Sequence, residues 1–181
     1  MNTLLNLPPN LTRVRGLSLI LTANKARAGI TELIAALILR GPLFIVAASE
    51  WLPASALPRL VRRASVKVTE ITNHLRTVRA ATCYRLLDSL SNTPSNGEPI
   101  LILDFLHTFY DSDMPLGVRF YRLGQCCRHL KRLAFYRPVI VMTQEMPTEE
   151  YEKFYSILHS IADKTFYLEP EPERVSQLPL F

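Results

Sequence analysis

I-L-I-L-D, Ile100 to Asp104, is the stretch on which the fold turns. Four aliphatic residues in a row, with no polar alternation, make a strand buried on both faces, and the aspartate ends it. Before it lies S-N-T-P-S-N-G-E-P, Ser91 to Pro99, a loop by its prolines, glycine and asparagines. After it, a loop with Asp111, Asp113 and Pro115 leads into a helix expected from about Gly117 to Tyr136. Phe120, Leu123, Cys127, Leu130 and Ala134 line the apolar face of that helix.

The same kind of apolar run recurs on either side, at Leu17 to Thr22, Pro42 to Ala48 and Pro138 to Met142. A helix is expected over Thr31 to Arg40: Thr31 is placed to cap it, Glu32 suits its positive end, and Gly41-Pro42 stops it. A short helix near Ala54 to Arg63 follows the second strand. The alternation of V-K-V-T-E-I, Val66 to Ile71, then predicts a less buried strand. From His74 to Leu90, Leu75, Val78, Thr82, Leu86 and Leu90 fall on one helical stripe. Thr148-Glu-Glu opens another helix, to about Asp163, and Thr165 to Leu168 is a last strand.

Buried strands alternating with helices imply a mainly parallel sheet covered on both faces, an α/β fold of three layers, αβα. Residues 1–15, with Pro8-Pro9, are an expected N-terminal arm; 16–169 form the core; 170–181 are a proline- and glutamate-rich tail. In such sheets ligands sit at the carboxyl ends of the strands. The positions that matter therefore follow Leu21, Ala48, Leu103 and Met142.

Composition narrows the classes. With 48% hydrophobic and 20% charged residues, the chain carries too many aliphatic and aromatic residues for a disordered polymer. The most apolar stretch, Leu33 to Ser49, is broken by Arg40 and Gly41-Pro42, short of the roughly 20 apolar residues a bilayer needs. Met1 to Leu11 lacks the basic start and apolar core of a secretory signal, so a cytoplasmic or nuclear protein, with no membrane partner, is expected. Three cysteines, two of them the adjacent Cys126 and Cys127, suit a reducing compartment, and no C-x-x-C or His/Cys cluster suggests zinc. His74, His107, His129 and His159 are scattered, and none pairs in sequence with a nucleophile.

Charge is divided along the chain. Up to Arg137 there are 18 Lys+Arg against 8 Asp+Glu; beyond it there are 3 against 8. A basic body with an acidic end suits a polyanion, an oppositely charged protein, or solubility alone. Arg59, Arg62, Arg63, Lys67, Arg76, Arg79 and Arg85 form one cluster, and Arg119, Arg122, Arg128, Lys131 and Arg132 form another. Arg76 with Arg79, and Arg128 with Arg132, are expected to share helix faces. Such faces bind phosphates by releasing counterions, although a solvated face has the same composition.

The strand ends carry the functional argument. After the first strand, N-K-A-R-A-G-I-T, Asn24 to Thr31, stands where a phosphate-binding loop G-x-x-x-x-G-K-[ST] would stand. Gly29 and Thr31 match that pattern. Asn24 replaces its first glycine and Ile30 its lysine, while Lys25 and Arg27 are the nearby cations. After the second strand come Ser49 and Glu50, after the third Asp104, after the fourth Thr143 and Gln144. Each also has a plain reading: Glu50 as a surface carboxylate, Asp104 as the cap of the next turn, Thr31 as a helix cap.

Together, G-L-S-L-I-L at Gly16 to Leu21, F-I-V-A-A-S-E-W at Phe44 to Trp51 and I-L-I-L-D-F-L-H-T-F-Y-D at Ile100 to Asp111 resemble the RecA-like P-loop ATPase core. P-V-I-V-M-T-Q at Pro138 to Gln144 and A-D-K-T-F-Y-L-E at Ala162 to Glu169 extend the resemblance. The branch is that of the strand-exchange recombinases, their paralogues and KaiC-like proteins. The resemblance implies that Glu50 stands for the water-activating glutamate and Asp104 for the Walker B aspartate. It also implies that Thr31 marks the magnesium position and Gln144 the γ-phosphate sensor, with Glu145 in that place under a one-residue shift. The missing lysine is the main departure, and loss of one such contact costs on the order of 10²–10³ in rate.

The resemblance thus implies a catalytically degenerate RecA-like protein, in recombination or DNA repair, that binds DNA or a related ATPase subunit without hydrolysing ATP usefully. It implies an assembled state with like or unlike subunits, and no obligatory cofactor. One alternative is a divergent active ATPase, with ATP and magnesium, using Lys25 or Arg27. Another is a regulatory scaffold of the same fold with no nucleic-acid role. The tail, ending L-P-L-F, resembles a docking peptide.

Overall fold

The computed structural model describes residues 11–23, 26–111, 113–145 and 148–168. The 1–10 part of the arm, Asn24, Lys25 and the 169–181 segment therefore lie outside the described residues.

Six strands, β1 Gly16–Thr22, β2 Leu43–Ala47, β3 Leu75–Arg79, β4 Ile100–Leu103, β5 Pro138–Gln144 and β6 Lys164–Leu168, form one sheet. Its order is β3-β2-β4-β5-β1-β6 and every pairing is parallel. Register is fixed by aliphatic matches such as Ile45 with Leu101, Leu101 with Ile140, and Leu19 with Val141. The helices are α1 Arg27–Ile38, α2 Leu57–Ala64, α3 Val68–Thr72, α4 Cys83–Asn92, α5 Leu116–Tyr136 and α6 Glu149–His159. A 3-10 turn, Phe105–Phe109, follows β4.

Both faces of the sheet are covered, giving three layers. Leu19, Val46, Ile102 and Val141 pack against residues of α4, α5 and α6, among them Leu86, Leu123, Leu130 and Phe154. Ile20, Ile45, Leu101 and Ile140 pack on the other face against Ile34 and Ile38 of α1 and Leu57 and Val61 of α2. Each such side chain contributes about 1.5–3 kcal/mol on burial, so neither helical layer is dispensable.

Two expected elements differ. Val66 to Ile71 is not a strand: α3 occupies Val68–Thr72, Val66 is 98% exposed, and Ile71 is the residue that reaches the core. The expected helix from His74 to Leu90 divides into β3 and α4. Leu75–Arg79 pairs with the free edge of β2, and Leu43 N–H donates to His74 O at 3.0 Å. Thr82, placed within a stripe by spacing alone, is instead the N-cap of α4 and accepts the Arg85 amide.

The chain leaves β2 through α2 and α3 on one face and leaves β4 through the 3-10 turn and α5 on the other. Adjacent strands whose connections diverge in this way open a crevice at their carboxyl ends.

Candidate functional site

A cleft of about 530 Å³ lies over those ends, lined by Arg27, Ser49, Glu50, Trp51, Asp104, His107, Tyr110, Thr143 and Gln144. A second hollow of about 370 Å³ shares Arg27, Trp51, Asp104 and Gln144 and adds Thr22, Ala23, Ala26 and Ile30. The volume suits a small organic ligand. Three residues singled out in the sequence, Glu50, Asp104 and Gln144, thus meet at one place. Each follows or ends a different strand.

Asp104 is the best defined of them. Its Oδ2 accepts a hydrogen bond from Ser49 Oγ at 2.6 Å, and Ser49 Oγ accepts the Trp51 amide at 3.3 Å. Its backbone is left-handed, φ 53° and ψ 41°, and no other described non-glycine residue has positive φ. That conformation costs an ordinary residue about 1–2 kcal/mol, and aspartate tolerates it best with asparagine. Buried Phe105 and Leu106 on one side and Leu103 on the other hold it there. Its carboxylate makes no side-chain cap to the following turn, so the plain capping role is absent.

The loop after β1 differs from expectation. α1 begins at Arg27, its first bond running from Ile30 N–H to Ala26 O, so Gly29, Ile30 and Thr31 are helical. Thr31 is not the cap. Its hydroxyl donates to Arg27 O at 2.7 Å within the helix, and the residue is buried away from the cleft lining. A Cβ at Gly29 would meet Leu168 of β6 only in ordinary contact, so alanine fits here and helix packing does not require glycine. Ile30 is buried against the same layer. Helix formation from Arg27 onward consumes the residues that a wrapping loop would need.

Asp104 lines the cleft and Thr31 does not: the Thr31 hydroxyl is bonded back into its helix, and Asp104 Oδ2 is held by Ser49. Among the described residues no group of three or more His, Cys, Asp or Glu is gathered. The Ser49 hydroxyl, donated to the Asp104 carboxylate, is oriented within the cleft by that bond.

Trp51, His107 and Tyr110 were not singled out in the sequence. Trp51 carries the Arg27 guanidinium 5.6 Å from its ring centroid, which holds the cleft's cation at its wall. Tyr110 stacks on Tyr151, ring centroids 6.4 Å apart, and its buried hydroxyl has no hydrogen-bond partner among the described residues. Burial, then the neighbouring Tyr151 and Glu150, pushes that phenol above the ordinary tyrosine range, so it stays protonated. The lone tryptophan two residues after Ser49 was the available signal.

The expected basic faces are redistributed. Arg76 and Arg79 lie three apart on a strand, so the pleat sends them to opposite faces. Arg76 pairs with Glu98 at 2.7 Å over the Phe44 ring. Arg132 folds onto the 90–95 segment, bonding Ser95 Oγ at 2.7 Å and Leu90 O at 2.9 Å, and so leaves the face of exposed Arg128. Arg59, Arg62 and Arg63 are exposed on α2, and Lys131 is exposed on α5. Among the described residues no helix is long and apolar enough to cross a membrane.

Comparison with protein-family models and with curated proteins gives no match to this chain.

Proposed function

We propose that this chain is a non-hydrolysing RecA-like subunit that works in recombination or repair by binding DNA or a related ATPase subunit. One observation carries the reading. Glu50, Asp104 and Gln144 gather at the carboxyl ends of a parallel sheet, beside a helix whose start supplies neither glycine wrap nor lysine among the described residues. A cleft keeping the acids and amide of phosphoryl transfer, with the cradle replaced by helix, is what loss of hydrolysis in such a fold would leave. The basic body and the acidic final segment supply complementary surfaces for a partner.

The test is affinity purification from the native source with identification of associated proteins, together with Mg·ATP turnover by the purified chain. A co-purifying RecA-like ATPase, with turnover of the chain alone at background, supports the reading. Turnover abolished by Asp104→Asn overturns it.

A second reading, the divergent ATPase, is favoured by Arg27, which lines the cleft with its guanidinium over the Trp51 ring. Equilibrium Mg·ATP binding that is lost in Arg27→Gln would select it. No binding with or without magnesium would select the subunit reading.

A further inference from the structure

We infer that the outer stripe of α5 is a binding surface for single-stranded nucleic acid, away from the cleft. The inference deepens the nucleic-acid half of the reading above and rests on that reading only there.

The first observation is charge. Between Asp113 and Glu145 the sequence has no Asp or Glu, while Arg119, Arg122, Arg128, Lys131, Arg132 and Arg137 fall within it. Arg119 is spent on Glu150, and Arg132 and Arg137 turn onto the 90–98 segment. Arg128 and Lys131 remain exposed, with Arg122 half-buried one and a half turns before. A solvated helix face ordinarily intersperses carboxylates, because like charges three and four residues apart are destabilising. This helix has Arg128, Lys131 and Arg132 in that relation with no acid to offset them. The resulting positive field is felt by His129, held below its ordinary value by burial and then by Arg132 and Arg128.

The second observation is aromatic. Tyr121 is 62% exposed and Phe135 72% exposed on the same helix, and Tyr84 of α4 is 50% exposed beside them. These rings are held in place. The Arg122 guanidinium lies 4.7 Å from the Tyr84 centroid and 5.9 Å from that of Tyr121. Gln125 accepts from Arg122 at 2.9 Å and donates to the Tyr121 hydroxyl at 3.3 Å. Phe135 is braced edge-on by Tyr136 at 5.0 Å.

Ordered, exposed rings alternating with cations along a helix match the chemistry of an unpaired strand, which offers both base faces and phosphates. Tyr121, Arg128 and Phe135 are seven residues apart and so lie nearly in line, two turns between each. The line is about 21 Å long at ~1.5 Å per residue, the length of about six phosphates at ~3.4 Å each in a stacked strand. A duplex hides its base faces and cannot use the rings, and an acidic protein would use the cations but leave the rings without a specific partner.

The experiment is fluorescence anisotropy of a labelled 30-nucleotide oligo-dT with the whole 181-residue chain across a salt series. Three phosphate contacts give a slope of about −2 in log K against log salt, at ~0.7 per contact. Arg128→Gln with Lys131→Gln is expected to weaken binding about tenfold and to flatten the slope by about 1.4. Tyr121→Ala with Phe135→Ala is expected to weaken it about tenfold at unchanged slope. Arg13→Gln with Arg15→Gln, ahead of β1, should leave affinity unchanged. All these side chains are exposed, and an unaltered circular dichroism melt verifies the fold.

Several results would overturn the inference: no binding at 50 mM salt, unchanged affinity in both α5 variants, or a duplex of equal length bound as tightly. Displacement of the oligonucleotide by poly-glutamate at equal charge concentration would overturn it in favour of an acidic protein. A co-purifying ATPase subunit with no oligo-dT binding would retain the subunit reading and sink this one. Oligo-dT binding lost in the α5 variants, with no ATPase partner found, would support this inference and remove only the ATPase-partner half of that reading.

Discussion

Arg137→Met should loosen the loop that delivers β4 to the cleft. The Arg137 guanidinium donates to the carbonyls of Pro94, Ser95, Asn96 and Glu98, and the residue is only 4% exposed. A hydrogen bond to a charged group contributes about 1.5–3 kcal/mol. Pro94 and Asn96 are exposed, so their carbonyls regain water in the variant, while those of half-buried Ser95 and Glu98 recover less. Counting those two bonds, and subtracting the desolvation relieved when the guanidinium goes, leaves a loss of about 3 kcal/mol. Methionine keeps the apolar stem, which separates lost hydrogen bonds from lost packing.

Urea unfolding followed by circular dichroism measures the effect. At a slope of about 2 kcal/mol per molar, the midpoint should fall by about 1.5 M, and hydrogen exchange should accelerate across residues 93–98. Arg137→Lys, with one compact ammonium in place of the fork, should recover only part of the loss. A midpoint within about 0.3 M of wild type for the Met variant, or full recovery by lysine, would refute the reasoning.

Three further outcomes are expected. Asp104→Ala and Asp104→Gly both lose the Ser49 bond, but only glycine is free of the left-handed strain, so the glycine variant should be about 1 kcal/mol the more stable by urea midpoint. His129 is held below its ordinary 6.5, so the fold prefers the neutral ring: its contribution is fully present above pH 6.5 and is lost as pH falls through the depressed value. His129→Gln should therefore be less acid-sensitive than wild type between about pH 6.5 and 5 in thermal melts. Cys83, Cys126 and Cys127 are buried, and burial pushes the Cys127 thiol up to about 12, so a disulfide-exchange reagent should label none in the native state and all three in urea.

The cleft was half legible in the sequence. Glu50, Asp104 and Gln144 were found because a polar residue ending an unbroken aliphatic run lies at a strand tip whatever the strand order. Arg27 and Trp51 were not assigned to one site, because their contact joins the start of α1 to the segment after β2. Thr31 was misplaced by one helical turn: a threonine before an apolar run signals a cap, yet α1 starts at Arg27 with no side-chain cap at all. The turn that leads into it is closed by Ala26 N–H donating to Ala23 O, which no propensity at Thr31 reveals.

Sequence alone determined the sheet's buried strands and the long helix α5. An aliphatic run without alternation is stable only when covered on both sides, and α5 announces its apolar face by period. Tertiary structure alone decided Leu75–Arg79, whose stripe fits a helix but which is recruited by the open edge of β2. It also decided which arginines face outward. Arg119, Arg132 and Arg137 differ from Arg128 by nothing in their chemistry, only by the carboxylate or carbonyls that the fold brings within reach of each guanidinium.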